Sequence, residues 1–392
     1  MEAKYEFEKK YRKEILQCSR CGFCQAVCPI FGATLRPSYN ARGKMLLLKE
    51  IMEGSIEPSQ ELADTFYACT TCQSCTYSCP SKIEVNEIVE EFRKKLYEDG
   101  FAPAPLLGVR DSIIKAGNVY ASTREDRIEI YPPALREKAQ KGELPTKAET
   151  LLFMGCLPSY LDMKIVPSFI KTLDAGEVNY ATLATEESCC GFPLFLMGSD
   201  EFESHAERLI QKIKATGARE LVTPCAGCYK TFKNIYPKIG DLGLEVYHSV
   251  QYFEKLVTER TIKFSGEIAQ KVTYHDPCDL GRACKIFEEP RNILKKIPGL
   301  EFVEMARNRL DARCCGGGGG MQAYNPDMAV HMASERVRDA LAVGAEIIVS
   351  GCPACKDNLR KGARAIPKQE RGKIRIMDIT EMVTDALAYA IL

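Results

Sequence analysis

The 392-residue chain has no net charge, with 53 basic residues set against 53 acidic ones. That excludes a broad electrostatic grip on nucleic acid. No apolar run approaches the roughly 20 residues of a membrane span, so no transmembrane segment is expected. The opening stretch MEAKYEFEKKYRKE is charged and has no signal-peptide core. The expected location is therefore the cytoplasm, or the membrane periphery through a partner. Nucleotide fingerprints are also missing. The run Gly316 to Gly320 is not followed by the lysine and hydroxyl residue of a phosphate loop, and no flavin or nicotinamide motif stands elsewhere.

What remains is ordinary globular composition, 45% apolar and 27% charged, long enough for about two or three domains. The outlier is cysteine, at 19 residues. The number is odd, the cysteines are grouped, and a chain this long needs no disulfide staples. Thiols grouped this way point to metal ligation.

Four stretches differ in pattern. Residues 1–100 read as helical with two dense cysteine runs, and residues 101–148 as a cysteine-free connector with one or two helices. Residues 149–265 and 266–392 resemble each other as an internal repeat. In the first stretch, helices are expected over Tyr5 to Gln17, Ala41 to Met52, Gln60 to Ala68 and Val85 to Glu98. The repeats alternate β-like runs (TLLFMG, EVNYATL and ELVTP; KVTYH, LEFVEM and EIIVSG) with helices such as Glu201 to Thr216 and Pro326 to Val343. Asn325 is the expected N-cap of the latter, with Pro326 at its first position. Alternation of this kind predicts α/β layers with parallel pairing, giving an α+β / α/β chain overall. Cys156, Cys225, Cys278 and Cys352 each follow a β-like run. Ligands in open α/β sheets collect beyond the carboxyl ends of strands, so the five cysteines of each repeat are expected on one rim.

Cys18, Cys21, Cys24 and Cys28 stand in CSRCGFCQAVCP, and Cys69, Cys72, Cys75 and Cys79 in CTTCQSCTYSCP. Both fit C-x2-C-x2-C-x3-C-P, in which three closely spaced thiolates wrap one [4Fe-4S] cubane and the fourth serves the other. One cubane would then take Cys18, Cys21, Cys24 and Cys79, and the second Cys69, Cys72, Cys75 and Cys28. Zinc is the alternative, although it prefers two pairs of ligands to this spacing. The first repeat carries Cys156, the pair Cys189 and Cys190, then Cys225 and Cys228. The second carries Cys278, the pair Cys314 and Cys315, then Cys352 and Cys355. The intervals are 32 and 35 residues before the pair and 34 and 36 after it. Five thiols exceed a tetrahedral site, and adjacent cysteines make a strained disulfide but suit a cluster.

This spacing, one residue short in the first repeat, resembles the CCG domain of heterodisulfide reductases and of the iron–sulfur subunits of glycolate, lactate and glycerol-3-phosphate dehydrogenases. Two ferredoxin runs followed by two CCG repeats resemble the D-type subunit of heterodisulfide reductase, across nearly the whole chain and 18 of its 19 cysteines. The first stretch looks like the α-helical ferredoxin of respiratory complexes. The resemblance implies that each five-cysteine set holds a non-cubane [4Fe-4S] cluster. It also implies that the coenzyme M–coenzyme B disulfide is cleaved between them, with electrons from a membrane cytochrome b or a flavoprotein. The ten CCG cysteines would then be catalytic. A second reading is an electron relay from a flavin-linked 2-hydroxy-acid or glycerol-3-phosphate dehydrogenase to a quinone. A third is a zinc-stapled interaction protein.

Weaker features have two readings each. Cys284 is an extra ligand or a redox thiol, or a small buried helix residue. His275 is a proton donor near Cys278 or a strand-end histidine bonding backbone. Arg282, Lys230 and Lys356 meet an anionic substrate, offset cluster charge, or are solvated helix-face charges. His205, His248 and His331 read as ordinary helix or surface residues.

Overall fold

The computed structural model describes residues 4–145 and 147–387. Residues 1–3, 146 and 388–392, which fall within the expected domain limits, lie outside the described residues. The N-terminal region is helical, with helices Glu6–Leu16, Ala41–Met52, Gln60–Tyr67 and Val85–Glu98. The last buries Ile88, Val89, Phe92 and Leu96 along one face, as its apolar spacing requires. Phe92 packs edge-on against Phe7 and Phe66, with ring centroids 5.0 and 4.5 Å away. The connector forms helices Ala104–Ala116 and Pro133–Gln140.

Each repeat then builds a four-stranded parallel sheet. The first comprises β1 (Thr150–Leu152), β2 (Tyr180–Thr182), β3 (Glu220–Thr223) and β4 (Glu245–His248), in the spatial order β2-β1-β3-β4. The second comprises β5 (Lys271–His275), β6 (Glu301–Phe302), β7 (Ile347–Ser350) and β8 (Arg375–Asp378), in the order β6-β5-β7-β8. Leu151 pairs with Leu221 at the centre of one sheet, and Thr273 with Ile348 at the centre of the other. The central runs read as continuous apolar segments because helices cover parallel sheets on both faces. β4 and β8 are absent from the sequence-based reading. Both are edge strands of four residues with exposed first residues, so neither carries a continuous apolar run. LEFVEM shrinks to two paired residues.

The repeats face each other through exchanged helix pairs. Ile165–Ala175, which follows β1, packs on Ile379–Ala386, which follows β8. Glu289–Lys295, which follows β5, packs on Ser249–Thr258, which follows β4. The partners are equivalent and swapped, so the two repeats are related by an approximate two-fold axis.

The helical region seats on both repeats. Arg93 is fully buried and donates to the carbonyls of Phe66, Tyr67 and Cys69 in its own region, of Leu196 in the first repeat and of Gly319 in the second. Two glycines permit this approach. A Cβ on Gly198 would lie 2.5 Å from the Lys94 nitrogen, and one on Gly319 2.5 Å from the Thr70 Cα. The glycine run is thus a docking surface for backbone. Among the described residues no helix is long and apolar enough to cross a membrane.

Candidate metal centres

In each sheet the chain runs outward in opposite directions from the two central strands, which is the switch point where open α/β sheets gather ligands. Cys156 opens a short helix after β1, the pair Cys189–Cys190 follows β2, and Cys225 and Cys228 follow β3. Cys278, the pair Cys314–Cys315, and Cys352 with Cys355 follow β5, β6 and β7 in the same way.

The first-repeat thiols form a row in which each lies against the next, in the order Cys156, Cys189, Cys190, Cys228 and Cys225. The second repeat reproduces it as Cys278, Cys314, Cys315, Cys355 and Cys352. The Sγ atoms of Cys315 and Cys355 are 3.1 Å apart. In the helical region Cys24 has Cys18, Cys21 and Cys79 around it, whereas Cys28 and Cys75 neighbour Cys69 and Cys72. The fourth thiol of each run therefore lies with the first three of the other. Cys21 is exposed, and the Phe23 backbone N–H holds its thiol below the ordinary value. Burial pushes Cys28 up to about 11 and Cys75 well above the usual thiol range. Cys72 lies against Cys314, so one ferredoxin-type group touches the second repeat's row.

The surroundings suit an anionic group. Lys44, Arg93 and Arg282 are buried beside these thiols, and among the described residues none of them pairs with a carboxylate. Lys44 faces Cys28, Cys69 and Cys75; Arg282 faces Cys72, Cys278 and Cys314. Burial pulls the Lys44 and Arg93 values down, and the adjacent thiols oppose that. Buried cations without counter-charges are costly, whereas a thiolate-ligated cluster beside them supplies negative charge. This fits iron–sulfur ligation better than an isolated zinc site.

Several expectations change here. Arg282, Lys230 and Lys356 are not solvated helix-face charges; all three are buried. Arg282 donates to the carbonyls of Cys72, Leu310 and Ala312. Lys230 sits 3.2 Å from Asp279, and Lys356 pairs with Asp162 at 2.7 Å and with Glu381. His205 is buried with its ring nitrogen 2.7 Å from the Cys189 carbonyl, and His248 is fully buried as an N-cap. Cys284 stands apart from the rows; burial raises its thiol to about 12, and Asn234 donates to its sulfur.

A cavity of about 410 Å³ lies against the first row. Cysteines of the first row line it together with Cys352, and the Gly317–Gly320 backbone closes its far side. The connector supplies Leu106, Val109, Val119 and Tyr120 to its wall. Sequence reasoning missed that role, since nothing in a cysteine-free helical stretch announces a lining residue. It also missed Arg127, a buried connector cation paired with Glu187. Glu187 in turn accepts from the Met154 and Gly155 nitrogens at 3.0 and 2.8 Å, fixing the loop that carries Cys156.

Helical ferredoxin-type loops joined to two α/β rims, all lined by thiols, define an iron–sulfur protein of the dicluster-plus-CCG class. Residues 14–83 match the "4Fe-4S dicluster domain" family, and residues 150–233 and 272–360 match the "Cysteine-rich domain" family, CCG. The chain is 32% identical to the D-type subunit of the dihydromethanophenazine:CoB–CoM heterodisulfide reductase of Methanosarcina acetivorans, over 96% of this chain and 95% of that one. It is 33% identical to the Methanosarcina barkeri counterpart, over 96% and 95%. It is also 26% identical to an EtfAB:quinone oxidoreductase of Syntrophomonas wolfei, over 97% of this chain and 59% of that protein. The chain belongs to the family of heterodisulfide reductase D-type subunits and is an iron–sulfur oxidoreductase.

Proposed function

We propose that the protein reduces a small-molecule disulfide of the coenzyme M–coenzyme B kind in the cavity against its first cysteine row. Cys156, Cys189, Cys190, Cys225 and Cys228 would hold one non-cubane cluster. Cys278, Cys314, Cys315, Cys352 and Cys355 would hold the other. Cys18, Cys21, Cys24 and Cys79, and Cys28, Cys69, Cys72 and Cys75, would hold two cubanes. Bound clusters supply one-electron redox chemistry and thiophilic iron. The reaction consumes two electrons and two protons and gives two thiols. The observation that carries the reading is a cavity lined by all five thiols of the first repeat and by Cys352 of the second.

The contact between Cys72 and Cys314 favours an order running from exposed Cys21, through the two ferredoxin-type groups, to the second repeat and last to the first. The electron donor is a membrane cytochrome b or a flavoprotein partner, which would hold this chain in the cytoplasm or at the membrane periphery. The cavity wall is largely apolar, with Lys361 paired to Asp357 at 2.6 Å on one side. It suits the alkyl arm that carries the disulfide, with charged ends of the substrate held outside the apolar wall.

The test is anaerobic reduction of the coenzyme M–coenzyme B disulfide by fully iron-loaded protein with a reduced viologen dye. Two thiols per disulfide are expected. Loaded protein that accepts electrons and releases no thiol would favour the relay reading instead. That reading draws on the match of nearly the whole chain to the EtfAB:quinone oxidoreductase.

A further inference from the structure

His275 is buried at the end of β5, three residues before Cys278. One of its ring nitrogens and the sulfurs of Cys315 and Cys355 all lie within 4.8 Å of one another. Geometry of this kind has two chemical meanings. The imidazole either ligates iron in place of a sixth thiolate or donates a hydrogen bond to a ligated sulfur.

Arg336 separates the two. It is fully buried on helix Pro326–Leu341, and its Nε–H donates to His275 Nδ1 at 3.1 Å. Its orientation is fixed by further bonds to the Arg307 carbonyl at 2.8 Å and to Asp339 at 3.1 Å. A guanidinium has no acceptor, so Nδ1 must be the bare nitrogen. In a neutral ring the hydrogen then sits on Nε2. Ligation through Nε2 would require the opposite tautomer, with Nδ1 protonated and pointing its hydrogen at an arginine donor. The first repeat places no imidazole and guanidinium at this position, and the Thr231 hydroxyl beside Cys190 gives its hydrogen to the Gly227 carbonyl at 2.7 Å. Phe153 stands at the same offset from Cys156, packed 4.8 Å from Phe232.

We infer that His275, oriented by Arg336, donates an Nε2–H hydrogen bond to the Cys315 sulfur and so sets the second repeat's centre at a higher reduction potential than its twin. His275 is a positioning and tuning residue and is not an iron ligand. Hydrogen bonds to ligating sulfur stabilise the reduced, more negative state of a cluster. The inference rests on the reading of the ten CCG cysteines as cluster ligands.

The experiment is an EPR-monitored redox titration of the intact iron-loaded chain, with iron and labile sulfide measured on each sample. His275→Phe, which copies Phe153, is expected to lower the potential of one centre alone, with iron and sulfide unchanged. Arg336→Met frees the tautomer and should shift the same centre by less. His275→Gln keeps an N–H donor and should return the potential toward wild type. Hyperfine coupling to 15N-histidine should be weak, as for a nitrogen outside the coordination shell. Iron lost selectively from His275→Phe, or a strong 15N coupling, makes the imidazole a ligand and overturns the inference. So do unchanged potentials in both His275→Phe and Arg336→Met. Wild-type protein that binds no iron or sulfide would instead bring down the ligand reading beneath it, and the inference with it.

Discussion

The two repeats share a sheet order and a row of five thiols but are braced in opposite senses. In the first, the carboxylate comes from the loop before the cysteine pair. Glu187 reaches back to the Met154 and Gly155 nitrogens beside Cys156. In the second, it comes from the strand end. Asp276, two residues before Cys278, reaches forward to the Arg309 nitrogen in the loop leading to Cys314. The buried arginine also differs in origin, Arg127 from the connector in one case and Arg291 from the repeat's own helix in the other. One mechanical task, locking the first cysteine loop to the paired-cysteine loop, has been solved twice. The first repeat depends on a neighbour to complete it; the second is self-sufficient.

The largest way to break this comparison is Arg127→Met. Both partners are fully buried, and removing one side of such a pair costs about 3–5 kcal/mol. Denaturant unfolding should show that loss. Arg291→Met should cost less, because one of its two carboxylate partners, Glu304, is partly exposed and can be solvated in place. Equal losses would mean that the two braces are equivalent after all.

A second contrast concerns pH. His248 and Asp378 occupy matching places, each ending the last strand of its sheet and capping the next helix in a capping box. Burial pulls His248 from 6.5 to about 3 and pushes Asp378 from 3.8 to about 7. The buried imidazole stays neutral while the unfolded one protonates, so its contribution is complete above pH 6.5 and is lost as pH falls toward 3. The buried carboxyl stays protonated while the unfolded one ionises, so its contribution is complete below pH 3.8 and is lost as pH rises toward 7. Each slope is at most roughly 1.4 kcal/mol per pH unit. His248→Asn should flatten the acid limb of stability against pH, and Asp378→Asn the limb between pH 4 and 7. Either variant flattening the other's limb would refute the assignment.

The smallest expected effect is that of Thr231→Val. Its hydroxyl donates to the Gly227 carbonyl at 2.7 Å and lies near Cys190. Its loss should cost about 1 kcal/mol, read from unfolding midpoints. A larger cost would show that the first row leans on this hydroxyl as the second leans on His275.

The fold class was legible because parallel strands and amphipathic helices leave distinct periods, and the caps Asn325 and Pro326 sit as their residue types dictate. The rims were legible because strand and cysteine alternate in the chain. The braces were not. Glu187 with Arg127, and His275 with Arg336, join residues 60 and 61 positions apart, and no local pattern marks a charge that will be buried. The edge strands failed for a related reason, since half-exposed tetrapeptides such as EVYH carry too little apolar signal.

Lys44, Arg93 and Arg282 carry a consequence for the life of the polypeptide. Without metal, three positive charges would be sealed beside thiols with no carboxylate to meet them, and water would be drawn in to solvate them. On the proposed reading, filling the thiol rows would be part of folding, and the empty form is expected to be the better substrate for proteases. Chains synthesised under iron starvation should disappear in a pulse-chase experiment and should not accumulate as a reserve.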